Sequence, residues 1–140
     1  MNAVLVDSNV ILDVLTEDSR WFPWSSAALA RCAEAGSLEI NPIIYAEVSI
    51  RFDRIEDLEA ALPASYFRRS ALPWEAAFLA GKCFLRYRRA GGARTAPLPD
   101  FYIGAHAATA GLKLLTRDPA RYRTHFPRLE LIAPPTDKER

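Results

Sequence analysis

The chain has 140 residues and a formal net charge of +1, a size that fits one ordinary domain. Half of the residues are hydrophobic and a quarter are charged, so the composition is that of a globular protein. No apolar run approaches the roughly 18 to 20 residues that cross a bilayer, and the opening MNAVLVD has no basic leader. We therefore expect neither a membrane segment nor a signal peptide.

The distribution of charge indicates a class of partner, and the two cysteines indicate a cellular compartment. Residues 1–70 contain 6 basic and 11 acidic side chains, whereas residues 71–140 contain 12 and 6. This asymmetry favours a polyanionic or acidic partner for one surface, although a solvated charged surface explains it equally well. Cys32 and Cys83 have no paired spacing, so we expect core residues in a reducing compartment, with the cytoplasm as the default.

The predicted elements alternate short apolar strands with helices. In the first half, Asn41 is predicted to cap a helix that begins at Pro42, and Gly36 to end the helix before it. The elements predicted there are a strand at 4–6, a helix at 10–15, a helix opened by Pro23 and Ser25 and running through 27–35, a strand at 38–40, a helix to about Phe52, and a further helix led by residues 53–59 and ended by Pro63.

In the second half, Pro73 opens the longest predicted helix, which runs to about Arg89, and Gly91 and Gly92 end it. Residues 91–99 form a loop whose composition predicts mobility. The remaining predicted elements are a helix from Asp100 to Gly111, a strand at 113–115, a short helix started by Asp118 and Pro119, and a strand at 129–132.

This alternation predicts a three-layer α/β/α domain around a mostly parallel sheet, spanning residues 1–133, with residues 134–140 as a frayed tail. In such sheets, chemistry collects at the carboxyl ends of the strands. Asp7 and Asp118 each follow an apolar strand, so both are candidate site residues. Each is also explained as the N-cap of the helix that follows it.

Glu47 and Asp100 are candidates because of their helices. Glu47 shares a helix face with Ile43 and Ile44, and a carboxylate on an apolar stripe must be paired or bound to a cation. A buried pair with an arginine is the alternative. Asp100 heads a helix with a small, apolar face, and a plain N-cap is the alternative there. That face consists of Ile103, Gly104, Ala107, Ala108 and Gly111.

The four carboxylates are expected to converge, two from strand ends and two from flanking helices. Carboxylates about 5 Å apart repel by roughly 3 kcal/mol per pair at an effective dielectric of about 20, so a fold keeps them together around a cation. All-oxygen ligands suit Mg²⁺ or Mn²⁺. His106 and His125 are isolated in sequence and are not expected to be ligands.

Four parts of the sequence together resemble the PIN-domain ribonucleases, and among them the VapC-type toxins of toxin–antitoxin pairs. They are DSNV at 7–10, Glu47 in an early helix, PDFYIGAHA at 99–107 and LLTRD at 114–118. The resemblance covers essentially the whole chain, in order. It implies a PIN-like fold and a Mg²⁺- or Mn²⁺-dependent endoribonuclease that cleaves RNA with a metal-activated water.

The resemblance also implies roles for single residues. The catalytic and metal-holding quartet would be Asp7, Glu47, Asp100 and Asp118. The polar residues that would orient the acids or a bound water are Ser8, Asn9 and Thr116. Many relatives have asparagine at position 118 and an acid three residues later, where this chain has Arg121. The fourth acid must then be Asp118 itself, which would either bind the ion directly or contact a group that binds it.

RNA requires positive charge around an acidic centre. The residues predicted to bind it are Arg86 and Arg89, near the 91–99 loop, and Arg117 and Arg121, which flank Asp118. A solvated side chain is the alternative for each. Tyr102 and Tyr122 are candidates for base stacking or, more commonly, for the core.

VapC-like proteins form homodimers and are silenced by a VapB-like antitoxin, so the resemblance implies both partners as well as an RNA substrate. Four aromatic residues are candidates for partner surface, with the core as the commoner assignment. They are Trp21, Phe22, Trp24 and Phe67.

Other classes fit the sequence less well. A phosphatase with a nucleophilic aspartate needs a second one two residues after Asp7, where this chain has Asn9. A receiver domain needs an acid pair before its phosphoacceptor and a late lysine, and neither is evident. The remaining alternative is a non-catalytic or housekeeping PIN-like protein that binds or processes RNA, although a non-catalytic one is expected to have lost an acid.

Overall fold

The computed structural model describes residues 2–91 and 98–135. Within these ranges the chain forms five strands and seven helices. In chain order they are β1 (Asn2–Val6), α1 (Ser8–Leu15), α2 (Phe22–Ala35), β2 (Gly36–Ile40), α3 (Pro42–Ser49), α4 (Ile55–Ala61), β3 (Phe67–Arg69), α5 (Trp74–Arg89), α6 (Leu98–Ala110), β4 (Lys113–Leu115), α7 (Ala120–Arg123) and β5 (Leu131–Ile132).

The strands form one parallel sheet in the order β3-β2-β1-β4-β5. In the central strand, Val4, Leu5 and Val6 are each 2 % exposed or less. Successive residues of a strand point to opposite faces, so a strand buried at three consecutive positions is covered on both. Helices therefore lie on both faces, and the predicted three-layer α/β/α fold is confirmed.

The order of the strands creates a crevice beside β1. From β1 the chain passes to β2 and β3 on one side of the sheet, and later to β4 and β5 on the other. The connections leave β1 and β4 in opposite directions, which opens a space beyond the carboxyl ends of these two strands. Asp7 follows β1 and Thr116 follows β4, so both lie at that point.

Several helix ends follow from local sequence, as predicted. The Oδ1 of Asn41 accepts the backbone N–H of Ile44 at 2.9 Å, and Pro42 occupies the first turn of α3. Gly91 and Gly111 follow α5 and α6 with φ of 79° and 67°, which glycine adopts without steric penalty. Gly36 ends α2 in an extended conformation, because it is already the first residue of β2.

The sheet differs from the prediction at both edges. The strand β3 was not predicted, because Phe67-Arg68-Arg69 contains one apolar residue, yet it pairs in parallel with β2 through Leu38 and Phe67. The last strand is shorter than predicted and pairs with β4 through Leu114 and Leu131. Edge strands have one neighbour and need little apolar character, which is why periodicity detects them poorly.

Helix starts differ in the second half. The helix α6 begins at Leu98, because Pro99 is tolerated in a first turn, so Asp100 lies inside that turn instead of heading the helix. The helix α7 begins at Ala120, after the predicted start at Asp118.

Two predictions lie partly or wholly outside the described residues. The mobile loop was predicted at 91–99, of which 92–97 are not described, and residues 136–140 of the predicted tail are not described either. Within the described part, Cys32 and Cys83 are buried and free, as predicted. None of the helices described is both long and apolar enough to cross a lipid bilayer.

We expect Gly104→Ala to destabilise the fold. A Cβ at Gly104 would stand 2.4 Å from Cε2 of the buried Phe126, so the ring or the helix must shift. Urea unfolding should show a loss of about 1 to 3 kcal/mol in the free energy of unfolding. The matched control is Gly81→Ala on α5, where nothing lies within 4 Å of the new Cβ. That variant should be neutral or gain up to about 1 kcal/mol, and equal stability of the two variants would contradict the packing described.

Candidate active site

Asp7 is the most deeply buried of the four predicted acids, at 3 % exposed. Its Oδ2 accepts hydrogen bonds from Thr116 Oγ1 and from the hydroxyl of Tyr122, both at 2.8 Å. Burial raises the pKa of Asp7, and the two donors act in the opposite direction. Asp7 precedes α1 but its side chain makes no capping hydrogen bond, so capping does not explain it.

Thr116 connects Asp7 with two neighbouring segments. Besides donating to Asp7, its buried hydroxyl oxygen accepts the backbone N–H of Asp118 at 3.1 Å and the Nδ2 of Asn9 at 3.3 Å. Asn9 Oδ1 also accepts the backbone N–H of Arg117 at 3.3 Å. One threonine therefore holds the turn after β4 against the start of α1.

Glu47 lies half-buried on α3, and its Oε1 accepts a hydrogen bond from Ser8 Oγ at 2.9 Å. Burial raises the pKa of Glu47, and the charge of Asp7 raises it further, whereas Ser8 lowers it. Among the described residues, Glu47 has no arginine or lysine within ion-pair distance. The alternative of a buried Glu–Arg pair is therefore not what the structure contains.

Asp100 lies on the first turn of α6 and is 8 % exposed. Burial raises the pKa of Asp100 from its usual 3.8 to about 6, against the lowering effect of Arg121. The charges of Asp7, Glu47 and Asp118 add to the rise. The charges of the other three acids thus reach Asp100, whereas their gathering around one ion stays a prediction.

Asp118 is more open than the two aspartates above, since its side chain is 40 % exposed. Its Oδ2 lies 3.3 Å from Nε of Arg121, and Nη1 of the same arginine lies 3.5 Å from Oδ2 of Asp100. Pro119 occupies the N-cap position of α7, so Asp118 is not that helix's cap. A guanidinium therefore lies between two of the four carboxyls.

The donors fit a hard divalent cation, although the side chains are not gathered around one. Within residues 2–91 and 98–135, no three Asp, Glu, His or Cys side chains are arranged to hold a metal ion. Carboxylate oxygens are nevertheless the ligands that hard divalent cations prefer, and the charges of Asp7, Glu47 and Asp118 raise the pKa of the buried Asp100. Arg121 supplies part of that positive charge.

The other predicted RNA-binding residues lie in different settings. Nε of Arg117 pairs with Oδ2 of the buried Asp13 at 2.8 Å, and its guanidinium lies 5.7 Å from the ring centre of Trp21. Arg86 and Arg89 are exposed in the last turn of α5 and make no ion pair with the four acids in the described part of the chain. Only Arg121 of the four predicted arginines contacts the acids there.

The two histidines and most of the aromatic residues considered above pack inside the fold or lie half-buried. Nδ1 of the buried His106 accepts a hydrogen bond from Asn41 at 2.9 Å, and burial lowers the pKa of His106, which favours the neutral ring. His125 packs against Phe101. Tyr122 is buried, so base stacking is excluded for it. Of the aromatic residues considered for partner surface, Phe67 is buried and three are half-buried, namely Trp21, Phe22 and Trp24.

Two features beside the site were not predicted from the sequence, namely the place of Asp13 and the bond that Tyr122 makes to Asp7. Asp13 accepts hydrogen bonds from Ser25 Oγ at 2.7 Å and from Arg117. Asp13 could have been predicted from the sequence, because it lies inside the apolar run ILDVL. Like Glu47, a carboxylate there must be paired or bound to a cation. The bond from Tyr122 to Asp7 joins residues 115 positions apart, and no local pattern predicts it.

Comparisons with known proteins point to one family. The sequence profile of the PIN domain matches residues 4–127. The chain is similar in fold to VapBC2 from Rickettsia felis bound to a promoter DNA fragment (TM-score 0.73, 17 % identity, 95 % of this chain and 99 % of that one). It is also similar to VapBC-1 from nontypeable Haemophilus influenzae (0.72, 16 %, 94 % and 97 %) and to a toxin–antitoxin complex from Klebsiella pneumoniae (0.66, 21 %, 92 % and 95 %). Curated proteins gave no match.

Ionised Asp100 should destabilise the metal-free fold. Its folded pKa, about 6, lies above the usual 3.8, so the folded chain binds the proton more tightly. The free energy of unfolding therefore falls as pH rises between these values. In EDTA at about pH 7.5, Asp100→Asn should raise it by about 1 to 3 kcal/mol in urea unfolding, and the gain should shrink toward pH 4.

The control for this measurement is Asp53→Asn, which alters an exposed carboxylate that is not one of the four site acids. It should change the free energy of unfolding little at any pH in the series. A gain for Asp100→Asn that did not depend on pH, or a loss at neutral pH, would contradict the electrostatic description.

Proposed function

The chain belongs to the PIN domain family, and from that premise we propose that it is a Mg²⁺- or Mn²⁺-dependent endoribonuclease, the toxin of a VapBC-like pair. The observation that carries the proposal is the burial of two carboxyls, Asp7 and Asp100, beside an arginine that also contacts Asp118. The charges of Glu47 and Asp118 also act on Asp100. Such a cluster stabilises the fold only when a cation compensates it.

The proposed mechanism divides the work among the acids. The residues that would hold the metal are Asp7, Glu47, Asp100 and Asp118. When bound, the ion lowers the pKa of a water and stabilises the charge that develops on the phosphate. Thr116 and Tyr122 fix one oxygen of Asp7, so this carboxylate sets the position of the site. Ser8 donates to Oε1 of Glu47 and orients that carboxylate, and an acid of the set that does not bind the ion directly would accept the proton of the attacking water.

Cleavage of RNA tests this proposal directly. Purified protein and a structured RNA should give cleavage with Mg²⁺ or Mn²⁺ and none with EDTA. Asp100→Asn should lose more than about 100-fold in rate, beyond the loss typical of residues that only support a metal ligand. Asp53→Asn is the control and should retain its rate. Cleavage in EDTA, or full activity of Asp100→Asn, would refute the mechanism, and RNA binding without cleavage in any metal would favour a non-catalytic PIN-like protein.

A VapB-like antitoxin is the proposed protein partner. The solved structures with a similar fold include VapBC assemblies and a toxin–antitoxin complex, which supports this partner. A homodimer and a cytoplasmic location belong to the same proposal. Alternatively, a solitary nuclease of the same family would act without a partner gene.

Growth experiments distinguish a toxin from a solitary nuclease. We expect a short reading frame for a DNA-binding protein immediately upstream of the gene. Expression of the chain alone should arrest growth, and co-expression of that neighbour should restore it. Asp100→Asn is the control and should not arrest growth. Arrest that the neighbour does not relieve, or the absence of such a frame, would contradict the toxin assignment while leaving the nuclease activity intact.

A further inference from the structure

The guanidinium of Arg121 is electrostatically linked to every acid of the site. It lies 3.5 Å from an oxygen of Asp100 and 3.3 Å from an oxygen of Asp118. Its charge also lowers the pKa of Asp7 and of Glu47. The positive charge of one side chain therefore already lies beside the carboxylates that would bind a metal ion.

The backbone around Arg121 is anchored by hydrogen bonds, whereas its side chain is half exposed. Tyr122, the next residue, is buried and bonded to Asp7, and the backbone N–H of Arg121 donates to the carbonyl of Asp118 at 3.2 Å. The side chain itself is 52 % exposed, and both of its contacts are longer than a well-formed charged hydrogen bond. The guanidinium thus lies near the carboxyls, open to solvent and held by two long contacts.

The neighbouring arginine has the opposite character. Arg117 is 28 % exposed, and its Nε lies 2.8 Å from Oδ2 of the buried Asp13. Its guanidinium also lies 5.7 Å from the ring centre of Trp21. Arg117 therefore belongs to a structural ion pair with Asp13 of α1. Within the described residues, Arg121 is the only basic side chain that forms an ion pair with any of the site acids, namely Asp100 and Asp118.

We propose that Arg121 is an intrinsic counterion that competes with the divalent metal for Asp100 and Asp118, and that the ion displaces it on binding. The inference rests on the proposed function, because it takes the four acids as a metal site. Arg121 already neutralises these two carboxylates, so an incoming metal ion must displace the guanidinium or be repelled by it. Metal affinity is therefore weaker than the acids alone would provide. A displaced guanidinium is chemically suited to a phosphate oxygen of the incoming RNA.

The test is the affinity for Mn²⁺ itself, measured without RNA by titration calorimetry or by the EPR signal of free Mn²⁺. Arg121→Gln should bind Mn²⁺ roughly tenfold more tightly or better than the original chain, because a unit charge a few ångströms from the ion is gone. Arg121→Lys keeps the charge and should bind within a few-fold of the original chain. Arg123→Gln removes the same charge from an exposed position of the same short helix and is the matched control.

The outcomes separate this inference from the function it rests on. Tighter binding by Arg121→Gln, with Arg123→Gln unchanged, supports the proposal. Equal affinity of Arg121→Gln and the original chain, or an equal gain in both glutamine variants, overturns it and leaves the metal site in place. If none of the four proteins binds Mn²⁺, the proposed metal-dependent function fails, and the inference fails with it.

Discussion

A carboxyl group buried at the end of the central strand is the constraint on which the site depends. Asp7 follows a strand that is buried on both faces, and almost no water reaches its side chain. A carboxyl in that place is costly unless donors inside the protein satisfy it. Those donors come from Thr116 after β4 and from Tyr122 on α7. The first strand and the C-terminal third of the chain are therefore joined by polar bonds at the same point where the sheet opens its crevice.

Charge compensation in and around the site takes two forms. Asp13 and Arg117 form a pair whose carboxylate is buried and receives a further hydrogen bond from Ser25. Removing one partner of such a pair leaves a buried charge alone, so the pair is a fixed part of the structure. Arg121 is half exposed, and exposed ion pairs contribute little to stability, so its contacts exchange easily. The segment from the end of β4 through α7 thus carries one structural arginine, Arg117, and one whose contacts are exposed, Arg121.

Local pattern predicted most of the fold because a strand or helix depends on residues close together in sequence. The central strand was evident from three consecutive aliphatic residues, and the cap at Asn41 from the proline after it. Prediction failed at β3, where an edge strand needs no apolar run, and at the start of α6, where Pro99 lies within the first turn. Glu47 was predicted as a site residue by its apolar helix face, but the same signal at Asp13 was overlooked.

The sequence by itself determined the three-layer fold and the family, and it nominated the four carboxyls, since all of these depend on residue types and their order along the chain. Only the tertiary structure decided which arginine faces the acids and which is paired elsewhere, because Arg117 meets Asp13 across 104 positions of sequence. It likewise decided that Tyr122 donates to Asp7 instead of stacking on a base. Contacts of that separation exist only once β1 and β4 have paired in register, and no local pattern records that pairing.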